Sequence, residues 1–184
     1  MIRLFVAIAV PGSVAEALAP LAGGVPGAHW SPPENLHITL RFVGDVSERA
    51  AEDLDSALSV VSSPPFAVGL AGVGSFADQS GPTALWAGVE TSEPLRVLRG
   101  RCEAAARRAG LRPDTRAWKA HVTLAYVGET EVVRVAMWSQ AHNLLRIAPF
   151  SVASFGLYSS WRTRAGPEYR LERAYALRPR PRGP

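Results

Sequence analysis

His37-Ile38-Thr39-Leu40 is the stretch that decides the fold, and a second copy, His121-Val122-Thr123-Leu124, follows it 84 residues later (121 − 37 = 84). In each copy one apolar residue separates the histidine from the threonine. Successive side chains of a β-strand point to opposite faces, so each copy predicts a strand with His and Thr on one face and apolar residues on the other. Continued alternation would place Arg41 on the His37 face and turn Phe42 and Tyr126 toward the core.

The repeat is more informative than either copy alone. The chain has 4 histidines, and a histidine that hydrogen-bonds within a sheet would explain a single copy. Two matched copies favour a pair of imidazoles that work together. Imidazole titrates at about pH 6.5, so one ring can accept a proton while the other donates one. Hydrolysis of a phosphodiester needs such a base and acid, and the threonine hydroxyls could donate to the phosphate oxygens without any metal.

Composition is that of a soluble globular protein. The chain has 184 residues, 47% hydrophobic and 20% charged, which suits a single domain over residues 1–177. The net charge of +4 suits an anionic partner such as RNA or nucleotides, although a solvated arginine-rich surface explains it equally. Cys102 is the only cysteine, which excludes an internal disulfide and a cysteine-based metal cluster. No signal peptide or membrane-spanning run is recognised, so we expect a cytoplasmic monomer.

Hydrophobic periodicity and turn residues predict the order of the elements. Helices are predicted at 13–21, 48–61, 94–109 and 131–144. Strands are predicted at 4–10, 29–30, 36–43, 66–76, 83–90, 121–127, 150–158 and 169–177, with a polar loop at 159–167. This mixture indicates an α+β fold with a mainly antiparallel sheet. The repeat suggests two similar lobes related by a pseudo-twofold axis, with helices outside and the active site in the cleft between them. Residues 178–184 form a basic, proline-rich tail that we expect to be disordered.

Further stretches carry a resemblance to a known family. They are Arg3 to Ile8, Pro33 to Gly44, Gly72 to Phe76 and Ala120 to Ala125. Through them the chain resembles the 2H phosphoesterases, and among these the RNA 2′,3′-cyclic phosphodiesterases, also called 2′-5′ RNA ligase-like proteins. The resemblance covers nearly the whole chain apart from the tail. It implies a two-lobed fold, no cofactor, and hydrolysis of an RNA-terminal 2′,3′-cyclic phosphate to a 2′-phosphate.

The resemblance also implies roles for the motif residues. His37 would donate a proton to the leaving 3′ oxygen, His121 would accept a proton from water, and Thr39 and Thr123 would hold the phosphate. The residues alone leave open which histidine is the acid. The family is also associated with joining tRNA halves through a 2′-5′ bond.

The chain departs from the family pattern at two positions. The family often has Pro where this chain has Ala120, and Arg where it has Tyr126. A phosphate or RNA contact of that arginine would then pass to Arg41, Arg116 or Arg162.

Other side chains are candidates for contacts with substrate. Trp118 and Trp161 could stack on RNA bases, with ordinary packing as the alternative. A salt bridge is the alternative for Arg41. His29 and His142 lack a threonine partner and are predicted to be surface or structural histidines, since no Cys or carboxylate pattern supports a zinc site.

Three functions remain open from the sequence. The first is an RNA 2′,3′-cyclic phosphodiesterase, and the second is an enzyme of the same fold that ligates RNA or hydrolyses small cyclic nucleotide phosphates. The third is a non-catalytic module that binds RNA or nucleotides. The presence of all four motif residues favours an enzyme, because binding alone needs no acid–base pair.

Overall fold

A computed structural model describes residues 1–128, 130–163 and 166–178 of the chain. The α-helices in this part are α1 (Gly12–Leu18), α2 (Glu48–Ser59), α3 (Glu93–Arg108) and α4 (Val132–His142). The strands are β1 (Ile2–Ala9), β2 (Ala28–Trp30), β3 (His37–Val46), β4 (Phe66–Asp78), β5 (Gly81–Val89), β6 (His121–Val127), β7 (Arg146–Val152), β8 (Ser154–Thr163) and β9 (Gly166–Ala176). Short 3₁₀ turns cover Ala19–Leu21 and Pro33–Asn35.

The strands form one antiparallel sheet in the order β7-β4-β5-β6-β3-β1-β8-β9, with β2 paired to β6. This confirms the predicted α+β fold. The order divides into two halves of four strands, β7-β4-β5-β6 and β3-β1-β8-β9, and each half contributes one motif strand to the junction. Among the described residues, Ile38 and Val122 are the one Cα pair that joins β3 to β6. The two lobes therefore meet at the motifs.

One continuous core fixes which face of the sheet each motif presents. Ile38 and Val122 are fully buried, together with Leu95, Leu98 and Cys102 of α3. The helices begin where side-chain caps are available, since the hydroxyl of the Ser47 N-cap accepts from Ala50 N and that of Ser92 accepts from Leu95 N. Their apolar faces then pack against the core side of the sheet, opposite the side that carries the His–Thr pairs.

Both motif strands carry a β-bulge directly after the threonine. The pairing of β3 with β1 shifts by one residue at Leu40, and the pairing of β6 with β5 shifts by one residue at Leu124. A bulge leaves one residue unpaired and reverses the alternation of side chains beyond it. The two bulges are again 84 residues apart (124 − 40 = 84), so the repeat extends to backbone geometry.

The bulges show that strict alternation beyond each threonine was a wrong expectation. Arg41 lies opposite Val6 and is buried, so its side chain points to the helix side and not to the His face. Phe42 lies opposite Phe5, whose ring contacts the first motif histidine, so Phe42 is on the His face and not in the core. Tyr126, also expected in the core, is 44% exposed.

The C-terminal strands differ from the prediction as well. The predicted strand 150–158 is divided at Ala153 between the end of β7 and the start of β8. The predicted loop 159–167 is wrong at its described residues, 159–163 and 166–167, which belong to strands that pair from Ser154 opposite Ala176 to Thr163 opposite Gly166. A polar composition indicated a loop, but a hairpin with many exposed side chains has the same composition.

The chain end is only partly covered by the described residues. The carbonyl of Arg178 accepts a hydrogen bond from Ser62 Oγ at 2.8 Å. The rest of the predicted disordered tail, residues 179–184, lies outside the described residues. In the described part of the chain, no helix is both long and apolar enough to cross a membrane.

Candidate active site

The two His–Thr pairs gather around the junction of β3 and β6. Ile38 and Val122 are Cα partners and both are fully buried. The histidine and threonine that flank each of them therefore point to the opposite face of the sheet. Because the register at Ile38 and Val122 is antiparallel, the histidine of each copy lies on the same side of this pair as the threonine of the other. The structure thus brings all four motif side chains to one place.

The backbone holds both histidines in the same tautomer. His37 Nδ1 lies 2.7 Å from the carbonyl oxygen of Asn35, and His121 Nδ1 lies 2.7 Å from that of Lys119. A carbonyl oxygen can only accept, so each Nδ1 carries the proton and donates it. Each neutral ring therefore keeps Nε2 as its acceptor. In both copies the carbonyl belongs to the residue two positions before the histidine.

Aromatic rings support both imidazoles. The His37 ring lies 4.8 Å from the Phe5 ring and 5.2 Å edge-on from the Tyr169 ring, measured between centroids. The His121 ring lies 4.8 Å edge-on from the Phe76 ring. These contacts limit rotation of the two imidazoles and leave both half-buried.

Burial is the main cause that lowers the pKa of both motif histidines. The hydrogen bonds to the carbonyls oppose this shift. The charge of His121 lowers the pKa of His37 further, so the two rings are within electrostatic range of each other. Lys119 likewise lowers the pKa of His121, and its Nζ lies 3.9 Å from the centroid of the Trp86 ring. Without a bound anion, both imidazoles are therefore biased toward the neutral form.

Trp118 is placed beside the first motif by its indole. Its Nε1 donates to the carbonyl of Thr39 at 3.0 Å, and the Arg99 guanidinium lies 5.7 Å from the ring centroid. The half-buried ring also packs against the core. These contacts fit the packing alternative and not a free stacking platform.

Arg41 does not reach the His face. Its guanidinium is 6% exposed, with Nε 2.5 Å from Glu103 Oε2 and Nη1 3.8 Å from Asp114 Oδ2, and Nη2 donates to the Arg112 carbonyl at 2.5 Å. The prediction that Arg41 binds phosphate is wrong in its geometry, because the bulge turns the side chain to the α3 side. The salt-bridge alternative describes Arg41, whose side chain is buried while those of Glu103 and Asp114 are partly buried.

Arg116 lies at the rim of the site. It forms a bidentate pair with Asp114 at 2.9 and 3.0 Å, and its guanidinium lies 5.5 Å from the Phe42 ring centroid. Hydrogen bonding from Arg116 is the main cause that lowers the pKa of Asp114 to about 2. Arg162 is exposed near the end of β8 and lines a pocket with Arg3.

Two polar side chains beside the motifs have contacts that the sequence did not predict. Asn35 is buried, and while its carbonyl holds His37, its Nδ2 donates to the carbonyl of Pro167 at 2.8 Å. Tyr126 OH lies 3.5 Å from Tyr169 OH, which links β6 to β9 across the two halves. The asparagine directly before the first motif strand was a usable signal, whereas the tyrosine contact depends on the bulge.

Comparisons with known proteins identify relatives of this chain. A family model described as LigT like phosphoesterase matches residues 8–86 and 88–169. The RNA 2′,3′-cyclic phosphodiesterase of Archaeoglobus fulgidus is 33% identical over 176 residues, which cover 94% of this chain and 99% of the relative. The protein of the same name from Aeropyrum pernix is 32% identical over 139 residues, which cover 74% and 79%.

Solved structures share the fold. One described as a phosphoesterase superposes with a TM-score of 0.78 and 25% identity, covering 96% of this chain and 98% of its own. Escherichia coli LigT complexed with 3′-AMP superposes with a TM-score of 0.77 and 24% identity, with the same coverage.

Proposed function

This chain belongs to the LigT like phosphoesterase family, and from that premise we propose that it hydrolyses the 2′,3′-cyclic phosphate at the end of an RNA to a 2′-phosphate. The observation that carries the proposal is the pairing of two His-x-Thr motifs around one antiparallel Cα pair. Both imidazoles there have Nδ1 committed to the backbone and Nε2 available. The names of the curated relatives support the substrate class.

The reaction needs one proton accepted and one proton donated. The oxygen of a water molecule forms a bond to phosphorus while His121 Nε2 takes its proton. The bond between phosphorus and the 3′ oxygen breaks, and that oxygen takes a proton from His37 Nε2. The products are a 3′-hydroxyl and a 2′-phosphate, and the two histidines have exchanged protonation states.

The surroundings of the two rings support this division of roles. Lys119 lowers the pKa of His121, which favours the neutral ring that a base requires. His37 must be protonated to act as the acid, and an anionic phosphate bound beside it would raise its pKa. Thr39 and Thr123, each one strand step from a histidine, would donate to the non-bridging oxygens where charge accumulates.

Every proton in this scheme passes through an imidazole. The scheme assigns no role to a metal. Addition of EDTA is therefore expected to leave the rate unchanged.

The test uses an RNA oligonucleotide with a 2′,3′-cyclic phosphate end, in EDTA. The wild type is expected to produce a 2′-phosphate, and His37→Ala and His121→Ala are each expected to lose about 10²-fold or more of the rate. His29→Ala, which removes an exposed histidine from β2, is the matched control and should retain the activity. A 3′-phosphate product, loss of activity in chelator, or full activity of either motif variant would contradict the proposal.

A further inference from the structure

We propose that a pocket beside the histidines binds the nucleotide that precedes the cyclic end of the RNA. The inference rests on the proposed function and adds the substrate class, namely RNA of at least two nucleotides rather than a mononucleotide. The pocket has a volume of about 380 Å³ and lies where the start of β1, the end of β3 and the end of β8 meet. Its walls include Arg3, Asp45, Ser160, Trp161 and Arg162.

The two arginines of the pocket stand on the same face of the sheet as the motif histidines. Arg3 lies two residues before Phe5 on β1, and Phe5 contacts His37. Arg162 lies four residues after Tyr158 on β8, and Tyr158 stacks on Phe5 with centroids 5.4 Å apart. Residues separated by an even number of positions share a face of a regular strand.

The pocket is linked to the first motif histidine through one intervening residue. Ser160, in its wall, is the Cα partner of Tyr169, whose ring lies 5.2 Å from the ring of His37. Arg3 is only two strand residues, roughly 7 Å, from the position of Phe5. A phosphate bound between the histidines would thus have its neighbouring nucleotide within reach of Arg3 and Arg162.

The charges of the pocket suit a phosphodiester that enters from solvent. Arg3 pairs with Asp45 at 3.2 Å, but both side chains are well exposed, at 40% and 52%. Exposed pairs of this kind contribute only about 0–1 kcal/mol, so a phosphate can replace the carboxylate. Arg162 is exposed and adds a second cation, which leaves the two arginines and Asp45 with a net positive charge.

An aromatic side chain lies beside these cations. The Trp161 indole is 48% exposed, its Nε1 donates to Ser159 Oγ at 2.8 Å, and the Arg170 guanidinium lies 5.6 Å from its centroid. These contacts hold the ring at the outer end of β8. Strand alternation directs Trp161 to the face opposite Arg162, so the indole lines the pocket from the edge of the sheet. An exposed indole next to arginines is the combination that holds unpaired RNA bases.

The experiment compares a 2′,3′-cyclic mononucleotide with a dinucleotide that ends in the same cyclic nucleotide. The wild type is expected to show a kcat/KM about tenfold higher for the dinucleotide, because a phosphate contact and a base contact are added. Arg162→Ala is expected to lower kcat/KM for the dinucleotide by about 5- to 10-fold and to change that for the mononucleotide by less than about twofold. Trp161→Leu should likewise lower kcat/KM for the dinucleotide more than for the mononucleotide.

Arg146→Ala is the matched control, because it removes an equal charge from an exposed position on β7, at the other edge of the sheet. It should leave both substrates unaffected. Equal kcat/KM for the two substrates in the wild type, or an equal loss for both in Arg162→Ala, would overturn the pocket assignment.

A binding measurement separates failure of the pocket from failure of the proposed reaction. Dinucleotide and mononucleotide 2′-phosphates are titrated calorimetrically into wild type and Arg162→Ala. The wild type is expected to bind the dinucleotide at least about fivefold more tightly than the mononucleotide. Arg162→Ala is expected to lose this difference. If neither cyclic substrate is hydrolysed, the proposed function fails, and this titration still decides whether the pocket binds the preceding nucleotide.

Discussion

Gly74→Ala tests whether the packing behind His121 controls the reaction. A Cβ at Gly74 would lie 2.4 Å from two carbons of the Trp86 ring. Ordinary contact begins at 3.4 Å, so the indole would have to move by about 1 Å (3.4 − 2.4 = 1.0). The ring has little free space, since its centroid lies 5.6 Å from that of Phe76 and 6.4 Å from that of His121.

This displacement is expected to cost both stability and rate. Overpacking of this kind costs about 1–3 kcal/mol, and each kcal/mol lowers Tm by about 2–4 °C in a chain of this size. A catalytic group displaced by 1 Å can lose about 10²-fold in rate. The centroids of the Trp86 and His121 rings are 6.4 Å apart, so only part of the indole displacement is passed on to the imidazole. We therefore expect a loss of about tenfold in kcat/KM.

Thermal unfolding and kinetics on a cyclic-phosphate RNA measure the two effects. Gly100→Ala is the matched control, because nothing lies within 4 Å of its Cβ position. It lies within α3 and should stabilise the protein by up to about 1 kcal/mol without changing the rate. If Gly74→Ala keeps both the Tm and the rate of the wild type, the indole does not support His121 as argued here.

Three further substitutions test other parts of the site. Lys119→Gln removes a charge that lowers the pKa of His121, so the acid limb of the pH profile of kcat/KM should move to higher pH; an unmoved limb would argue against His121 as the base. Arg41→Leu removes a buried guanidinium and leaves the partly buried Glu103 without its cation, which should cost about 3–5 kcal/mol in the free energy of unfolding, whereas a normal Tm with weaker substrate binding would restore Arg41 as a phosphate ligand. Asn35→Ala leaves a carbonyl of β9 without its donor and should lower the free energy of unfolding by about 1–3 kcal/mol, together with kcat; an unchanged kcat would show that this contact does not position the first motif.

The sequence was sufficient to predict the centre of the site. His37 and His121 were predicted to face one cleft because both motifs have the period of a strand. The apolar residues of each strand face the core, so its histidine and threonine must lie on the opposite face. The helix that begins after Ser47 was likewise predicted from its cap and apolar spacing. These features depend on local patterns, which a single chain displays directly.

Features that depend on pairing between distant strands were not predictable in this way. The bulges at Leu40 and Leu124 have no local signature, yet they decide where Arg41 and Tyr126 point. The contact of Asn35 with Pro167 joins residues 132 positions apart. Register and long-range partners are properties of the assembled sheet, so the direction of these side chains required the three-dimensional structure.

The junction at Ile38 and Val122 also has a consequence for how activity is lost. The strands of one half of the sheet, β4 to β7, come from a continuous middle segment, and those of the other half come from both ends of the chain. His37 and His121 are thus contributed by different halves, whose motif strands pair at Ile38 and Val122, while β2 adds a short pairing to β6. Partial separation of the two halves by heat or denaturant would move the two histidines apart while each half retained its own strands. Turnover should therefore disappear at milder conditions than secondary structure does, which makes enzymatic activity the most sensitive probe of contact between the halves.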